Sequence, residues 1–247
     1  MEQFLIVCPL VFLAGFVDAI AGGGGLISLP AYMFAGVPVH NAIATNKLSS
    51  ATGTAVSTWH LVKRCVDLFL VPGTVACAFV GSIAGANLAL IISDKVLKTV
   101  LVFVLPVVAF CVLRDKDLKP VIPEGFTRKK QYLIMAACSF VIGIYDGFYG
   151  PGTGTFLLLT FTKLGKLDIE KATGNVKVVN LTSNISALIT FVLAGKILWV
   201  LGLSASIFSI AGHYLGAHMV VKNGVKVIKP IILLVLVLLM IKIILGI

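Results

Sequence analysis

Residues 15–25 read Gly15-Phe-Val-Asp18-Ala-Ile-Ala-Gly22-Gly-Gly-Gly25, an aspartate followed by a run of glycines inside apolar sequence. The pattern returns later in the chain, where residues 143–154 read Gly143-Ile-Tyr-Asp146-Gly-Phe-Tyr-Gly150-Pro-Gly152-Thr-Gly154. Glycine runs are poor helix formers, so each copy predicts a break in a membrane-embedded helix. Breaks at corresponding places in two halves of an apolar chain are typical of the binding site of a secondary transporter.

The composition assigns the chain to the membrane. Of its 247 residues, 59% are apolar and only 12% are charged, which is more apolar surface than a soluble domain of this length can bury. The net charge of +10 does not indicate nucleic-acid binding, because the basic residues form short clusters between apolar spans. Such clusters are typical of positive-inside topology and of contact with anionic lipid. We therefore expect a multi-pass membrane protein, with the lipid bilayer as a partner and no nucleic acid.

The hydropathy pattern predicts an all-α integral membrane protein with about eight transmembrane helices. Most of the apolar spans have the roughly 20 residues that a helix needs to cross the hydrocarbon layer. They cover roughly residues 3–21, 37–62, 68–92, 95–113, 131–149, 168–193, 197–220 and 224–246. Two glycine-rich segments, 22–36 and 150–165, are left over and are too short to cross comfortably. Since unpaired backbone is not tolerated against lipid, we expect broken or re-entrant segments that are buried in protein or line a wet cavity.

The internal repeat divides the chain into two homologous halves, residues 1–113 and 131–247, joined by a polar linker at 114–130. Each half is expected to contain four spans and one broken segment; whether the halves are parallel or inverted stays open. The repeat extends beyond the glycine motif. Its further matches are Ala44-Thr-Asn-Lys47 with Ala172-Thr-Gly-Asn175-Val-Lys177, and Gly81-Ser-Ile-Ala-Gly85 with Gly212-His-Tyr-Leu-Gly216. The paired glycines of the second match predict close helix packing.

The glycine breaks and two intramembrane lysines are the candidate substrate-binding residues. Backbone N–H groups of a glycine run at a helix N-terminus favour an anion. Lys47 and Lys177 lie inside apolar spans, where a cation by default faces a cavity or a partner. The alternative is that each lysine snorkels or forms a structural pair with an aspartate. The candidate set is Gly22, Gly23, Gly24, Gly25, Asn46, Lys47, Ser50, Gly150, Gly152, Thr153, Gly154, Asn175, Lys177 and Asn180.

Asp18 and Asp146 are the candidate coupling residues. A carboxyl group at membrane depth can take up a proton or pair with a cation, and so link transport to an ion gradient. The alternatives are a cap on the broken helix or a fixed partner for a lysine. The sequence leaves open whether the coupling ion is a proton or sodium, and whether the protein is a homo-oligomer. His213 has no metal-ligand spacing and is interpreted as a polar packing residue.

The sequence contains no pattern typical of an enzyme. It shows no catalytic triad, no nucleophile–base pair and no metal-ligand spacing. We therefore expect no catalytic activity, no cofactor and no bound metal.

Four motifs make the chain resemble the sulfite exporter TauE/SafE family of membrane transporters. They are Gly15-Phe-Val-Asp18-Ala-Ile-Ala-Gly22-Gly-Gly-Gly-Leu-Ile-Ser-Leu-Pro30, Ala44-Thr-Asn-Lys47-Leu, Gly143-Ile-Tyr-Asp146-Gly-Phe-Tyr-Gly-Pro-Gly-Thr-Gly154, and Lys177-Val-Val-Asn180-Leu-Thr-Ser-Asn184. The resemblance covers essentially the whole chain. It implies a multi-pass carrier in the cell inner membrane for small sulfur-containing anions, such as sulfite, sulfoacetate and other organosulfonates, often moved outward. Two positions depart from the family pattern: Val176 stands where the family has Thr or Ser, and Cys65 where it has glycine.

The pattern and the resemblance together predict an exporter of a small anion that works by alternating access. The glycine-break N–H groups and the two lysines are expected to hold the anion near the membrane midplane. An anion channel and a non-transporting membrane assembly factor remain as alternatives.

Overall fold

The computed structural model describes residues 2–93, 95–96, 99, 123 and 125–223. The predicted spans 95–113 and 224–246 therefore lie almost entirely outside the described residues. Within the described part, the chain forms eight long or half-length α-helices and no strand. In chain order they are α1 (Glu2–Ala21), α2 (Gly25–Phe34), α3 (Val39–Cys65), α4 (Val71–Ile91), α5 (Arg128–Phe148), α6 (Thr153–Lys163), α7 (Ile169–Leu193) and α8 (Trp199–Asn223).

Five of these helices are long and apolar enough to cross a membrane. They are α1, α4, α5, α7 and α8. Helix α3 has 27 residues and is long enough, but it carries many more polar side chains. The fold confirms the predicted all-α, multi-pass membrane class, and the six predicted spans that fall on described residues all appear as long helices.

Each glycine motif ends one long helix and begins a half-length one. Helices α2 and α6 have 10 and 11 residues. At about 1.5 Å per residue each reaches roughly half of the ~30 Å hydrocarbon layer. The chain reverses local direction at Gly22, with φ of 75°, and at Gly150, with φ of 100°, in a region that L-residues rarely adopt. Whether the two segments re-enter the membrane on one side stays a prediction.

The helices pack in pairs. Each pair has a counterpart in which the corresponding helices of the two predicted halves change places. Helix α1 lies along α8, and α5 lies along α4; α3 and α7 pack against each other at the centre. Helix α3 also contacts α8, and α7 contacts α4 in the same way. The paired glycines allow this closeness: a Cβ on Gly85 would lie 1.9 Å from the Ile144 carbonyl oxygen, and one on Gly212 would lie 2.1 Å from that of Phe12.

Candidate functional site

The two glycine breaks touch each other in the interior of the bundle. The Thr155 N–H donates to the Gly22 carbonyl at 3.3 Å. A Cβ on Gly22 would lie 2.5 Å from the backbone of Gly154, and one on Gly25 would lie 3.0 Å from Pro151. Helices α2 and α6 both begin here, so their N-terminal ends, which carry the positive ends of the helix dipoles, are adjacent.

A buried ion pair lies beside the breaks. The Lys47 ammonium on α3 is 2.7 Å from a carboxylate oxygen of Asp146 on α5, and each side chain is only 2% exposed. Lys47 also donates to the Asn184 side-chain oxygen at 3.0 Å, and the Ser183 hydroxyl donates to Asp146 at 2.6 Å. These extra hydrogen bonds offset part of the cost of removing both charges from water.

A second ion pair occupies the corresponding place in the other half. The Lys177 ammonium on α7 is 3.2 Å from Oδ2 of Asp18 on α1, and it also contacts the Asp18 carbonyl oxygen. The other carboxylate oxygen of Asp18 accepts a hydrogen bond from the Gly24 N–H at 3.2 Å, at the start of α2. The Nε2 atom of His213 lies 3.2 Å from Asp18 Oδ2. Asp18 is therefore both a helix cap and the partner of a lysine.

In both ion pairs the lysine comes from one predicted half and the aspartate from the other. Lys47 of the first half contacts Asp146 of the second, and Lys177 of the second contacts Asp18 of the first. The site is consequently built from both predicted halves, and neither half contains a complete ion pair.

A small central cavity of about 20 Å³ lies between the breaks and the ion pairs. Its lining consists of glycine backbone, amides, hydroxyls and the paired charges. The lining residues are Asp18, Gly22, Gly25, Asn46, Lys47, Ser50, Asp146, Gly150, Thr153, Gly154, Asn180 and Asn184. A second cavity shares Asn46 and Asp18 with it and extends to His213 and Ser209. The buried Asn46 Oδ1 has no hydrogen-bond partner among the described residues, so this oxygen can accept from a donor in the cavities.

Most of the predicted site residues line the central cavity. The exceptions are Gly23, Gly24, Gly152, Asn175 and Lys177. Gly24 lines the second cavity, Gly152 is the N-cap of α6, and Lys177 is connected to the cavity through Asp18. Asn175 instead donates to the Lys171 carbonyl oxygen on its own helix, at 2.9 Å. That these residues bind substrate stays a prediction.

Sequence reasoning passed over the role of His213. The signal was present in the repeat, in two of the differences between residues that align in the two halves. His213 stands opposite Ser82 of the first half, and Gly53 stands opposite Ser183 of the second. A Cβ on Gly53 would lie 2.3 Å from His213 Nδ1, so the glycine is what makes room for the ring.

The arrangement is suited to holding an anion without covalent chemistry. Two helix N-termini, an amide and a lysine converge on one enclosed space. Each carboxylate in the space is already paired with a lysine. No group of three His, Cys, Asp or Glu side chains in the described ranges could hold a metal ion.

Broken helices that meet at a buried polar cavity in an apolar bundle define the class of this protein as a membrane transporter. The sequence profile of the family described as "Sulfite exporter TauE/SafE" matches residues 7–243. The chain therefore belongs to the sulfite exporter TauE/SafE family.

Curated relatives agree with this class. The chain is 37% identical over 232 residues to the "Probable membrane transporter protein YfcA" of Escherichia coli strain K12, with 92% of this chain and 84% of the relative covered. It is 36% identical over 225 residues to a "Probable membrane transporter protein" of Haemophilus influenzae, covering 90% of this chain and 87% of the relative. It is 34% identical over 225 residues to "Probable membrane transporter protein ORF9" of Sinorhizobium sp, covering 91% and 85%. No solved structure matches the chain. With five apolar spans and relatives of this kind, it is a multi-pass protein of the inner membrane.

Proposed function

We propose that this protein is a secondary transporter that moves a small, sulfur-containing anion by alternating access. The substrate class is sulfite, sulfoacetate or another organosulfonate, and export is the direction that the family description suggests. The proposal rests on one observation: the N-termini of α2 and α6 and the Lys47 ammonium converge on a single buried cavity.

The cavity offers several donors to an anion. Each helix N-terminus carries a partial positive charge of about +0.5, and the first N–H groups of a helix lack partners within it. The amide groups of Asn46 and Asn180 and the hydroxyl of Ser50 line this cavity, whereas the Thr153 hydroxyl already donates to the Gly150 carbonyl oxygen. An ammonium has three N–H bonds, and Lys47 contacts two oxygens among the described residues, so a third N–H can serve a ligand.

The crossed ion pairs suggest how binding drives movement. If one half rocks against the other, a lysine of one half must separate from an aspartate of the other. An unpaired buried charge costs about 3–5 kcal/mol, so the separation is unfavourable without a substitute partner. A bound sulfite or sulfonate provides negative oxygens to the lysine that loses its carboxylate. Movement of the loaded carrier is then cheaper than movement of the empty one.

The test is counterflow in liposomes that contain the purified protein. Vesicles loaded with unlabelled sulfite should take up external radiolabelled sulfite faster than empty vesicles, because a carrier returns more readily when loaded. A channel gives uptake without this acceleration, and an assembly factor gives none. Lys47→Met should lose the signal, whereas Lys171→Met, at an exposed lysine on α7, should keep it. Counterflow in Lys47→Met equal to wild type would remove Lys47 from the site.

Thermal unfolding of the purified protein identifies the preferred anion. A ligand that binds only the folded state stabilises it, and the stabilisation grows with the ratio of the ligand concentration to its Kd. The unfolding temperature rises accordingly. Sulfite, sulfoacetate and isethionate are expected to raise it more than chloride does at equal ionic strength. Equal shifts for all four salts would contradict a specific anion site.

A further inference from the structure

The buried His213 on α8 occupies an unusual position. Its side chain is 3% exposed, and it reaches from α8 to the carboxylate of Asp18 on α1. Its Nδ1 atom lies 2.9 Å from the Ser209 carbonyl oxygen and 3.3 Å from the Ser209 hydroxyl. The ring lines the second cavity together with Asp18 and Asn46, whose side-chain oxygen has no partner among the described residues.

The contacts of His213 indicate where the hydrogens of this cluster lie. A carbonyl oxygen only accepts, so the short contact at Nδ1 requires the hydrogen to be on Nδ1. The Nε2 atom then faces a carboxylate oxygen, which also only accepts when ionised. The contact is favourable only if one further proton lies between them, either on Nε2 or on Asp18. The geometry therefore describes the proton-loaded form of the pair.

The corresponding place in the other half lacks this pair. There the carboxylate of Asp146 accepts from the Ser183 hydroxyl, and Ser82 donates to the Ser183 carbonyl oxygen at 2.6 Å. Serine holds no additional proton near neutral pH. Beside Asp18, the residue aligned with Ser183 is Gly53, and its missing side chain leaves space for the His213 ring.

We propose that Asp18 and His213 together bind one proton, at a site that has no counterpart among the described residues of the second repeat's Asp146 cluster. We further propose that this proton is the coupling ion of transport, a step that rests on the proposed function above.

The surrounding charges allow the proton to influence the anion. Lys177 from α7 contacts the same carboxylate oxygen as His213, while Lys47 from α3 is paired with Asp146. Helix α3 presents Gly53 to the ring. Of its two histidines, His60 lies against Tyr214 and His40 contacts the Ala89 carbonyl oxygen. Adding a proton to the Asp18 cluster leaves two positive groups around one carboxylate. Because the central cavity shares Asp18, this net positive charge favours an anion in it.

The proton site can be tested without substrate by measuring thermal unfolding against pH. The proton-dependent contact stabilises the folded state at low pH, and this stability is lost as the pH rises and the proton leaves. His213→Gln keeps a donor toward Asp18 that does not titrate, so its unfolding temperature should depend less on pH. His60→Gln is the matched control, since His60 makes the same backbone contact, Nδ1 to the Val56 carbonyl at 2.9 Å. It should keep the wild-type dependence.

A second variant covers the case in which His213→Gln does not fold. The double change Gly53→Ser and His213→Ser installs the residues of the other half. The smaller side chain at 213 removes the ring that a Cβ at 53 would meet, and the Ser209 hydroxyl, which a Cβ at 53 would also meet at 2.3 Å, has to rotate away. It should also show the reduced pH dependence. A folded variant of either kind with the wild-type dependence would overturn the proton site.

Coupling is measured in liposomes with labelled sulfoacetate, whose charges do not titrate near neutral pH. An imposed pH gradient should change the wild-type flux relative to flux at equal pH on both sides. In His213→Gln the ratio of the two fluxes should fall to one, and in His60→Gln it should match wild type. A wild-type ratio in His213→Gln would overturn the coupling role. Absence of sulfoacetate and sulfite exchange in the wild type would instead contradict the proposed function, and would leave the pH-dependent unfolding as a separate result.

Discussion

At the scale of single residues, the Lys47–Asp146 pair is the feature with the largest energetic consequence. Both side chains are buried, so neither charge can be solvated when the other is removed. Removal of one partner from such a pair typically costs about 3–5 kcal/mol, whereas replacement of both by apolar residues is often neutral. Stability and function can therefore be separated at this pair.

We expect Lys47→Met to lower the stability of the folded protein by about 3–5 kcal/mol, because Asp146 is left as an unpaired buried charge. The double variant Lys47→Met with Asp146→Leu should recover most of this loss in thermal unfolding. It should not recover sulfite counterflow, because the ammonium that faces the anion is missing.

The matched control is Arg128→Met. Arg128 is 57% exposed and contacts Asp67 at 2.7 Å, so its loss should cost about 0–1 kcal/mol. A loss of stability in Lys47→Met as small as that in Arg128→Met would show that the buried pair is not needed for folding. Counterflow in the double variant would show that the lysine is not part of the anion site.

The sequence predicted both lysines and both aspartates as important, but not their partners. Asp18 lies closer in sequence to Lys47 than to Lys177, and local reasoning has no means of preferring the distant partner. The pairing is decided by which helices pack together, a long-range property. The difference between Gly53 and Ser183 at aligned positions could have pointed to His213, because a missing side chain in one copy of a repeat indicates space filled by another residue.

At the scale of helices, the two glycine breaks are held by contact with each other. The repeat alone predicted their location and the half-length segments that follow them. It did not predict that the two breaks would touch, since this depends on the inward path of both segments. The interpretation of residues 37–62 as an apolar span did not bring out the polar character of α3, whose Asn46, Lys47, Ser49 and Ser50 line the cavities.

A pair of glycines distinguishes backbone strain from contact between the breaks. Gly22 and Gly36 have nearly the same backbone angle, with φ of 75° and 77°, but only Gly22 lies against another backbone. Gly36→Ala should cost about 1–2 kcal/mol, the usual penalty of a left-handed conformation. Gly22→Ala should cost clearly more and should also abolish counterflow, because the added methyl group separates α2 from α6.

The measurements are thermal unfolding of both variants and sulfite counterflow in liposomes. Equal losses of stability at Gly22 and Gly36 would show that contact between the breaks contributes nothing beyond backbone strain. Wild-type counterflow in Gly22→Ala would show that the close approach of the two helix starts is not required for transport.

At the scale of the whole molecule, the crossed ion pairs make the two predicted halves mutually dependent. Each half on its own contains one buried lysine and one buried aspartate whose partners are in the other half. The pairs α1–α8 and α4–α5 also cross between the halves. Composition and repeats were sufficient to predict two halves in a membrane, but the exchange of partners depends on the three-dimensional arrangement alone.

We expect a chain that is cut within the polar linker 114–130 to accumulate only when both fragments are produced in one cell. Either fragment alone should be degraded, because its lysine and aspartate are unpaired in the membrane interior. Co-purification of a tagged fragment with its untagged partner measures the assembly. Lys47→Met in the first fragment should reduce the yield, and Arg128→Met in the second should not. Stable accumulation of one fragment alone would contradict this dependence.

The glycine at position 53 has an electrical consequence. It admits a histidine ring beside Asp18, and if the proton held there is the coupling ion, as proposed above, each turnover carries a single hydrogen ion. A dianion such as sulfoacetate therefore crosses with a residual negative charge, and turnover generates a current that a solid-supported membrane electrode can record. Installing serine at both 53 and 213 should increase the charge moved per anion. One missing side chain thus decides how strongly the membrane voltage acts on the cycle.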